Sequence, residues 1–577
     1  MAVPKMLNLA FCLSFLLAMP LSAEPEDSSA PSIQPIEEVV PLNKLHILYL
    51  MQSKEIDKSI DLYLQYKQLL GRHDFEILQQ MALIILEMGM RSQDPEQQLI
   101  SLFGSSIAGI SASIDILEAG IMSPQPQTQM AAIQFLGRIQ DDRCDELLTK
   151  AMSSDFFFTR MEAAHQLAIR KSRNAVGQIE SLMYRIPPQM RFFFPQFFAL
   201  IGTSDAISLL RQMMDESFHM TRIEAVLSAA RFGRDDLLPS IRARATHASI
   251  AEQEACATAL GMLKDSKSAP MLKILSQSPS PNIRLAALKA RHVIGDESAK
   301  EEILELAKTH NLFAITTLGS LPGSENFLRT LVDSPDIQLR FNASLALLQR
   351  RDSRAVASIK DFLIRDSRDL GFQIQYSIGN SLLSWKVIPS AMQHNQEGTY
   401  DIVAFSLSVR EQMLRDCVEL PEKDFLDIAA FLFDVRQGDL IPLLVSLLEN
   451  VQTPNAIHLL QKHAQIAGSP LIRTYCNLAL FRLKLIPKET LLNWITLKKT
   501  NEMIRFRPML PWDVRSSEKA SAFELTPEEN SRLLIECYQT LSLEHDEKGI
   551  DIILDGLKTG HIKNRSVLAG LLIQAIQ

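Results

Sequence analysis

This chain carries few of the residues and motifs that usually announce chemistry. It has three tryptophans, eight tyrosines and six thinly spread cysteines in 577 residues. No C-x-x-C pair occurs and no histidines stand at zinc spacing, so neither a disulfide framework nor a structural metal site is indicated. No G-x-G-x-x-G follows a strand, and the phosphate loop, G-x-S-x-G and H-E-x-x-H are missing. The usual signatures of nucleotide enzymes, serine hydrolases and zinc peptidases go with them. Period-two alternation, the mark of a half-buried strand, nowhere reaches a useful length. Basic charge is also scarce: Lys+Arg 59 against Asp+Glu 67 gives a formal net charge of -8. Without a basic window the footprint that phosphate backbones require is absent, and no nucleic-acid partner is expected.

What is there is apolar and helical. Hydrophobic residues make up 46% and charged residues 22%, a globular mixture that excludes wholesale disorder. The N-terminus has the form of a signal peptide over residues 1–23: Lys5 as the positive start, an apolar run from Leu7 to Met19, and a small-residue end at Leu21-Ser22-Ala23. The run is shorter than the ~20 apolar residues a bilayer requires, so no membrane span is expected once it is removed. The protein is then exported, to the periplasm or beyond the cell; an uncleaved N-terminal anchor is the alternative. Residues 24–41, EPEDSSAPSIQPIEEVVP, hold four prolines and little that forms a core, and read as a flexible linker.

Internal similarity organises most of the remainder. QMAAIQFLGRIQ from Gln129, RMEAAHQLAIRK from Arg160, RFFFPQFFALIG from Arg191, RIEAVLSAARFG from Arg222, QEACATALGMLK from Gln253 and RLAALKARHVIG from Arg284 align without a gap, each start 31 residues after the last. Weaker copies begin at Asn311, Arg340, Arg473 and Arg565. The fourth position of the ten segments is Ala or Cys in eight of them, as a helix requires where a neighbouring backbone comes close. The eighth position, mostly Leu, falls on the same face. Second apolar stretches such as Val176 to Met183 and Ala206 to Met214 lie between the copies, so each unit reads as helix, turn, helix. A unit of that size cannot bury its apolar face alone. The fold class expected is therefore all-α, an α-solenoid of stacked helix-turn-helix repeats.

R-x-x-A-A-x-x-L at a period near 30, with Asp or Gly in the following turn (Asp141, Gly233, Asp265, Asp296, Asp352), resembles the short bacterial HEAT repeats, the type also found in phycobilisome lyases. The resemblance covers roughly Thr128 to Leu363, with one isolated copy at Pro470 to Leu485. It implies that Arg160, Arg191, Arg222, Arg284 and Arg340 are structural repeat positions linking neighbouring units. The expected organisation is an N-terminal helical cap at 42–127, regular repeats at 128–370, degenerate helical repeats at 371–500, and an irregular loop plus C-terminal helical cap at 501–577.

The run Phe192 to Phe198 places five phenylalanines in one of these repeats. Phe194 and Phe198 take the inward positions. Phe193 and Phe197 fall where other copies carry small or polar residues, four apart and so on one helical face. They are either additional core, helped by Pro195 and by Phe156, Phe157 and Phe158 in the preceding turn, or an aromatic partner-binding patch. Other candidates are weaker. His458 and His463 point to different faces; Ser516 and Lys519 match S-x-x-K without its companion motifs; Cys256 and Cys476 sit at the small-residue position and should be buried. Asn342-Ala343-Ser344 and Asn564-Arg565-Ser566 fall inside expected helices. No catalytic residue, cofactor or metal is therefore expected. The function expected is an exported, non-enzymatic scaffold or adaptor that binds a protein partner. The alternatives are a lyase- or isomerase-type enzyme acting on a bound chromophore, which only the resemblance suggests, and a structural envelope component.

Overall fold

The computed structural model describes residues 44–246, 248–364, 402–465, 469–499 and 527–577. The expected signal peptide, the linker at 24–41, the loop at 505–522 with Trp512, the Ser516 and Lys519 pair and all of 371–400 lie outside the described residues. Every regular element among the described residues is a helix, and no helix is long and apolar enough to cross a membrane. Two compact units divide the chain. The described residues of the first are 44–147, 484–499 and 527–577, so both ends of the chain contribute to it; those of the second lie within 148–483.

In the second unit the sequence period becomes a recurring backbone event. Helices alternate in pairs, such as Ser204–Met213 with His219–Arg231, Leu238–Ala245 with Ile250–Met262, and Ala269–Leu275 with Pro281–Val293. Beyond the second helix of each pair the chain takes a left-handed residue: Lys171, Gly202, Gly233, Lys264 and Gly295, with φ of 56°, 70°, 66°, 52° and 100°. These five positions are again 31 residues apart. The N–H of the next residue then reaches back into the helix, Ser172 to the Leu167 carbonyl, Arg234 to Ala229, Asp265 to Leu260 and Asp296 to Arg291. This Schellman geometry satisfies carbonyls that a helix end leaves open. Glycine enters it freely, whereas Lys171 and Lys264 accept a cost of about 1 kcal/mol.

Small residues let the second helices of successive pairs approach. Ala163, Ala225, Cys256, Ala287, Ala314 and Ala343, all at the fourth repeat position, are buried. A Cβ on Gly261 would lie 2.8 Å from both Cα and Cβ of Ala290 one helix on. The eighth position buries Leu167, Phe198, Leu260, Leu318 and Leu347. The exception there is Arg291, also buried; its guanidinium donates to Asp296 and Ser276 at 2.8 and 2.9 Å, to Glu302 at 2.9 Å and to Ser298 at 3.1 Å. A cation can replace leucine there because every direction it faces holds an acceptor.

The first residue of the repeat motif closes the turn before it. Arg160 Nη1 donates to the Ser154 carbonyl at 2.7 Å, Arg222 Nη1 to Glu216 at 2.6 Å and Arg340 Nη1 to Ser334 at 3.3 Å, each six residues upstream. Gln129 and Gln98 make the same bond through Nε2, to Ser123 at 2.7 Å and Ser92 at 2.9 Å. Gln98, Gln129 and Arg160 are spaced by the same 31 residues, so the register reaches one period upstream of the first segment found in the sequence.

In the first unit helix Arg565–Ala575, most of whose side chains are buried, packs against helices Phe75–Met90 and Pro95–Ala108. Gly104 and Gly570 meet at the crossing. A Cβ on Gly570 would strike the Gly104 carbonyl oxygen and lie 2.8 Å from its carbonyl carbon; one on Gly104 would lie 2.9 Å from the Ser566 carbonyl carbon. Ion pairs surround this contact: Lys67 with Asp551, Lys563 with Glu96 and Arg565 with Asp57, each at 2.7 Å, and Lys558 with Asp61. His73 is buried among them, its Nδ1 3.0 Å from the Tyr63 hydroxyl and its Nε2 3.2 Å from Asp551 Oδ1. Burial, then the neighbouring Lys67 ammonium, hold its imidazole below the usual histidine range against the pull of Asp551.

Candidate partner-binding surface

The phenylalanine run does not form one helix. Pro187 and Pro188 open a 3-10 turn over Pro188–Phe193, and the α-helix begins only at Phe194, with Pro195 in its first turn where a missing N–H costs nothing. Phe193 and Phe197 are therefore on different elements, and the four-residue spacing does not put them on one face. Phe197 is 6% exposed, its ring 5.5 Å from Phe194 and 5.6 Å from His165. Phe193 is 44% exposed and lies against Phe192 with ring centroids 4.2 Å apart and the rings tilted by 33°. Phe194 and Phe198 are fully buried.

Phe193 has exposed aromatic company on the neighbouring stretches. Phe158, in the first turn of helix Phe157–Ile169, is 73% exposed; Tyr184, at the end of helix Val176–Tyr184, is 53% exposed; Phe156 is exposed as well. Phe157 and Phe158 meet edge to face with centroids 5.4 Å apart. The Arg191 guanidinium lies 5.3 Å above the Tyr184 ring while Nη1 bonds Glu216 Oε1 at 3.1 Å, so a cation is anchored over an exposed aromatic face. Phe156 to Phe158 and Pro187 to Gln189 occupy equivalent places one period apart, at the same end of two helices, Phe157–Ile169 and Phe194–Ile201, that pack together. Exposed aromatics thus stand in two consecutive repeats, Phe156 and Phe158 in one and Tyr184 and Phe193 in the next, and a search along one helical face does not find Phe158 and Tyr184.

The repeat arginines divide in their contacts. Arg222 Nε bonds Glu252 Oε1 at 2.7 Å across to the next repeat, and Arg191 reaches Glu216. Arg160 holds its own upstream turn, as does Arg340, whose Nη2 is also 3.9 Å from Asp361. The Arg284 side chain makes no hydrogen bond or ion pair with the described residues, its backbone N–H bonding the Ser280 carbonyl at 3.0 Å.

His458 is exposed, and His463 is buried against Phe433 with ring centroids 4.4 Å apart, burial holding its imidazole below the usual range. Cys256 and Cys476 are buried free thiols; burial pushes Cys256 up to about 12 and Cys476 in the same direction. Asn342 and Asn564 are both buried. Asn342 accepts from Thr316 at 2.8 Å and donates to the Gln338 carbonyl at 2.9 Å.

No protein-family description matches the chain, and no curated protein does. Among solved structures it is similar to a crystal structure of an engineered protein from a structural genomics consortium, at 15% identity, covering 70% of this chain and 99% of that one. The TM-score is 0.20, too low for the likeness to carry an argument about fold or function.

Proposed function

We propose that this is an exported, non-enzymatic adaptor whose helix pairs stack as an α-solenoid of the HEAT type and whose second unit binds a protein partner. The observation that carries the reading is the exposed aromatic set Phe156, Phe158, Tyr184 and Phe193 with Arg191 fixed over Tyr184. Exposed large aromatics in two consecutive repeats are costly to leave in water, and covering the apolar surface they still expose returns about 25 cal/mol for each Å². Aromatic and arginine side chains are also the residue types that most often anchor protein interfaces. Repeat arrays suit such a role because successive units extend one surface.

The test is a double substitution, Phe158→Ser with Phe193→Ser, in the full-length protein isolated from its native host. Adaptor binding predicts that a protein recovered with the parent chain is lost while the melting temperature is nearly unchanged. Recovery of the same partner by the stable variant would refute this surface as the binding site.

A further inference from the structure

The first unit holds a recess of its own, and nothing in it depends on how the second unit binds a partner. The recess has a volume of about 370 Å³ and is lined by Ser106, Gly109, Ser111, Arg138, Ile139 and Gln140. Two chain reversals make it. The first follows helix Pro95–Ala108, which Gly109 ends in the left-handed conformation at φ 61°, just before the 3-10 turn Ser111–Ser113. The second is the link from Arg138 to Gln140, between helices Pro126–Leu136 and Asp142–Ala151. Helices Pro95–Ala108 and Pro126–Leu136 pack on one another, which brings the two reversals together.

Polar groups of opposite sign border this space. Arg138 is exposed, its guanidinium 5.8 Å from the ring centroid of the buried Phe135. Its side chain makes no hydrogen bond or ion pair among the described residues, and neither do those of Ser106, Ser111 and Gln140. The negative end of helix Pro95–Ala108 supplies the other sign. Of its last four carbonyls, Ser105 accepts from the Gly109 N–H at 3.1 Å and Ala108 from Gln577 Nε2 at 2.8 Å. Those of Ser106 and Ile107 accept no bond among the described residues. A side chain at 109 would begin beside them, its Cβ 3.9 and 3.8 Å from the two oxygens; glycine leaves that space empty.

We propose that this recess binds free α-amino acids with an apolar side chain. The carboxylate takes the Arg138 guanidinium, whose parallel N–H donors match its two oxygens, with the Ser111 hydroxyl and Gln140 amide as further donors. The ammonium takes the Ser106 and Ile107 carbonyls, where the end of a helix favours a cation. Ile139 gives the side chain an apolar wall. A simple anion would satisfy Arg138 and leave the helix end unanswered, and a simple amine would meet the guanidinium as a like charge. A zwitterion answers both. The volume lies near the lower end of the ~300–1,000 Å³ usual for small-molecule sites, which suits a single amino acid.

The experiment titrates the full-length protein near neutral pH with L-leucine in a calorimeter, beside 4-methylpentanoate, which lacks the ammonium, and 3-methylbutylamine, which lacks the carboxylate. Leucine is expected to bind saturably at one site, and each analogue at least about tenfold more weakly, because each forfeits one set of charge-assisted bonds. Arg138→Gln, with helical circular dichroism and melting temperature unchanged, should weaken leucine by at least the same factor. Hydrogen exchange in the parent protein should slow on adding leucine in peptides covering 106–111 and 138–140. Absence of leucine binding, an analogue that binds as tightly as leucine, or protection that appears elsewhere and not in these peptides would overturn the proposal. So would undiminished leucine binding in the Arg138 variant.

Discussion

Replacing Gly570 by alanine tests the crossing that joins the two ends of the chain. Alanine is the better helix former, by about 1 kcal/mol, and in an open helix the exchange would stabilise. Here the added carbon would strike the Gly104 carbonyl oxygen and lie 2.8 and 2.9 Å from its carbonyl carbon and Cα. Van der Waals separations of about 3.5 Å require the helices to part by roughly half an ångström or more, enough to forfeit a quarter of the dispersion well along the contact. Overpacking of this kind costs about 1–3 kcal/mol, and the upper end applies because the obstacle is backbone and cannot rotate away. Subtracting the propensity gain leaves a net loss of about 2 kcal/mol. Gly104→Ala meets the same crossing, so the double variant should lose less than the sum of the two. Gly177, exposed in helix Val176–Tyr184 with nothing within 4 Å of a would-be Cβ, is the control, and its alanine variant should gain about 0.5 kcal/mol. Urea unfolding followed by circular dichroism gives the stability, and hydrogen exchange of the 565–575 peptide localises the loss to the first unit. A Gly570→Ala protein as stable as its parent, with unchanged exchange there, would refute the close crossing.

Phe197→Ser should cost about 3–5 kcal/mol by cavity formation and a buried hydroxyl, whereas Phe193→Ser should stay within about 1 kcal/mol; parallel thermal melts decide between them. His73 has a folded pKa below its ordinary value near 6.5, so its contribution is present above that pH and is lost as pH falls through 6.5 toward the folded value. Unfolding midpoints between about pH 5 and 8 should therefore decline on the acid side, and His73→Phe should flatten the decline. Arg291→Leu restores the residue type other repeats carry, and its partners Asp296 and Glu302 are exposed enough to return to water. It should cost less than about 1 kcal/mol, against about 2–4 for Arg291→Ala, as read from denaturation midpoints.

The repeat was legible because one physical demand recurs at fixed spacing: a small residue at the fourth position, with an apolar one four later. The left-handed residues from Lys171 to Gly295 obey the same interval, although only three of the five are glycine and composition alone does not reveal them. The link between the chain ends was far less visible. It joins helices hundreds of residues apart, and its signals are two helical glycines and a charge pattern, Asp57 and Asp61 at one end against Lys558, Lys563 and Arg565 at the other. Each is ordinary alone and acquires meaning only once the helices are paired. The aromatic run was legible as a repeat segment but not as a surface. Spacing by four assigns a common face only if one helix spans both residues, and the prolines at 187, 188 and 195 start that helix at Phe194.

Partner binding is tested most directly by placing a photo-crosslinking benzoylphenylalanine at position 158 in the native host and, as a control, at the exposed position 423. The adaptor reading predicts a discrete protein trapped from 158, absent from 423 and lost when Phe193 is also changed to Ser. No adduct from 158, or the same adduct from both positions, would contradict it.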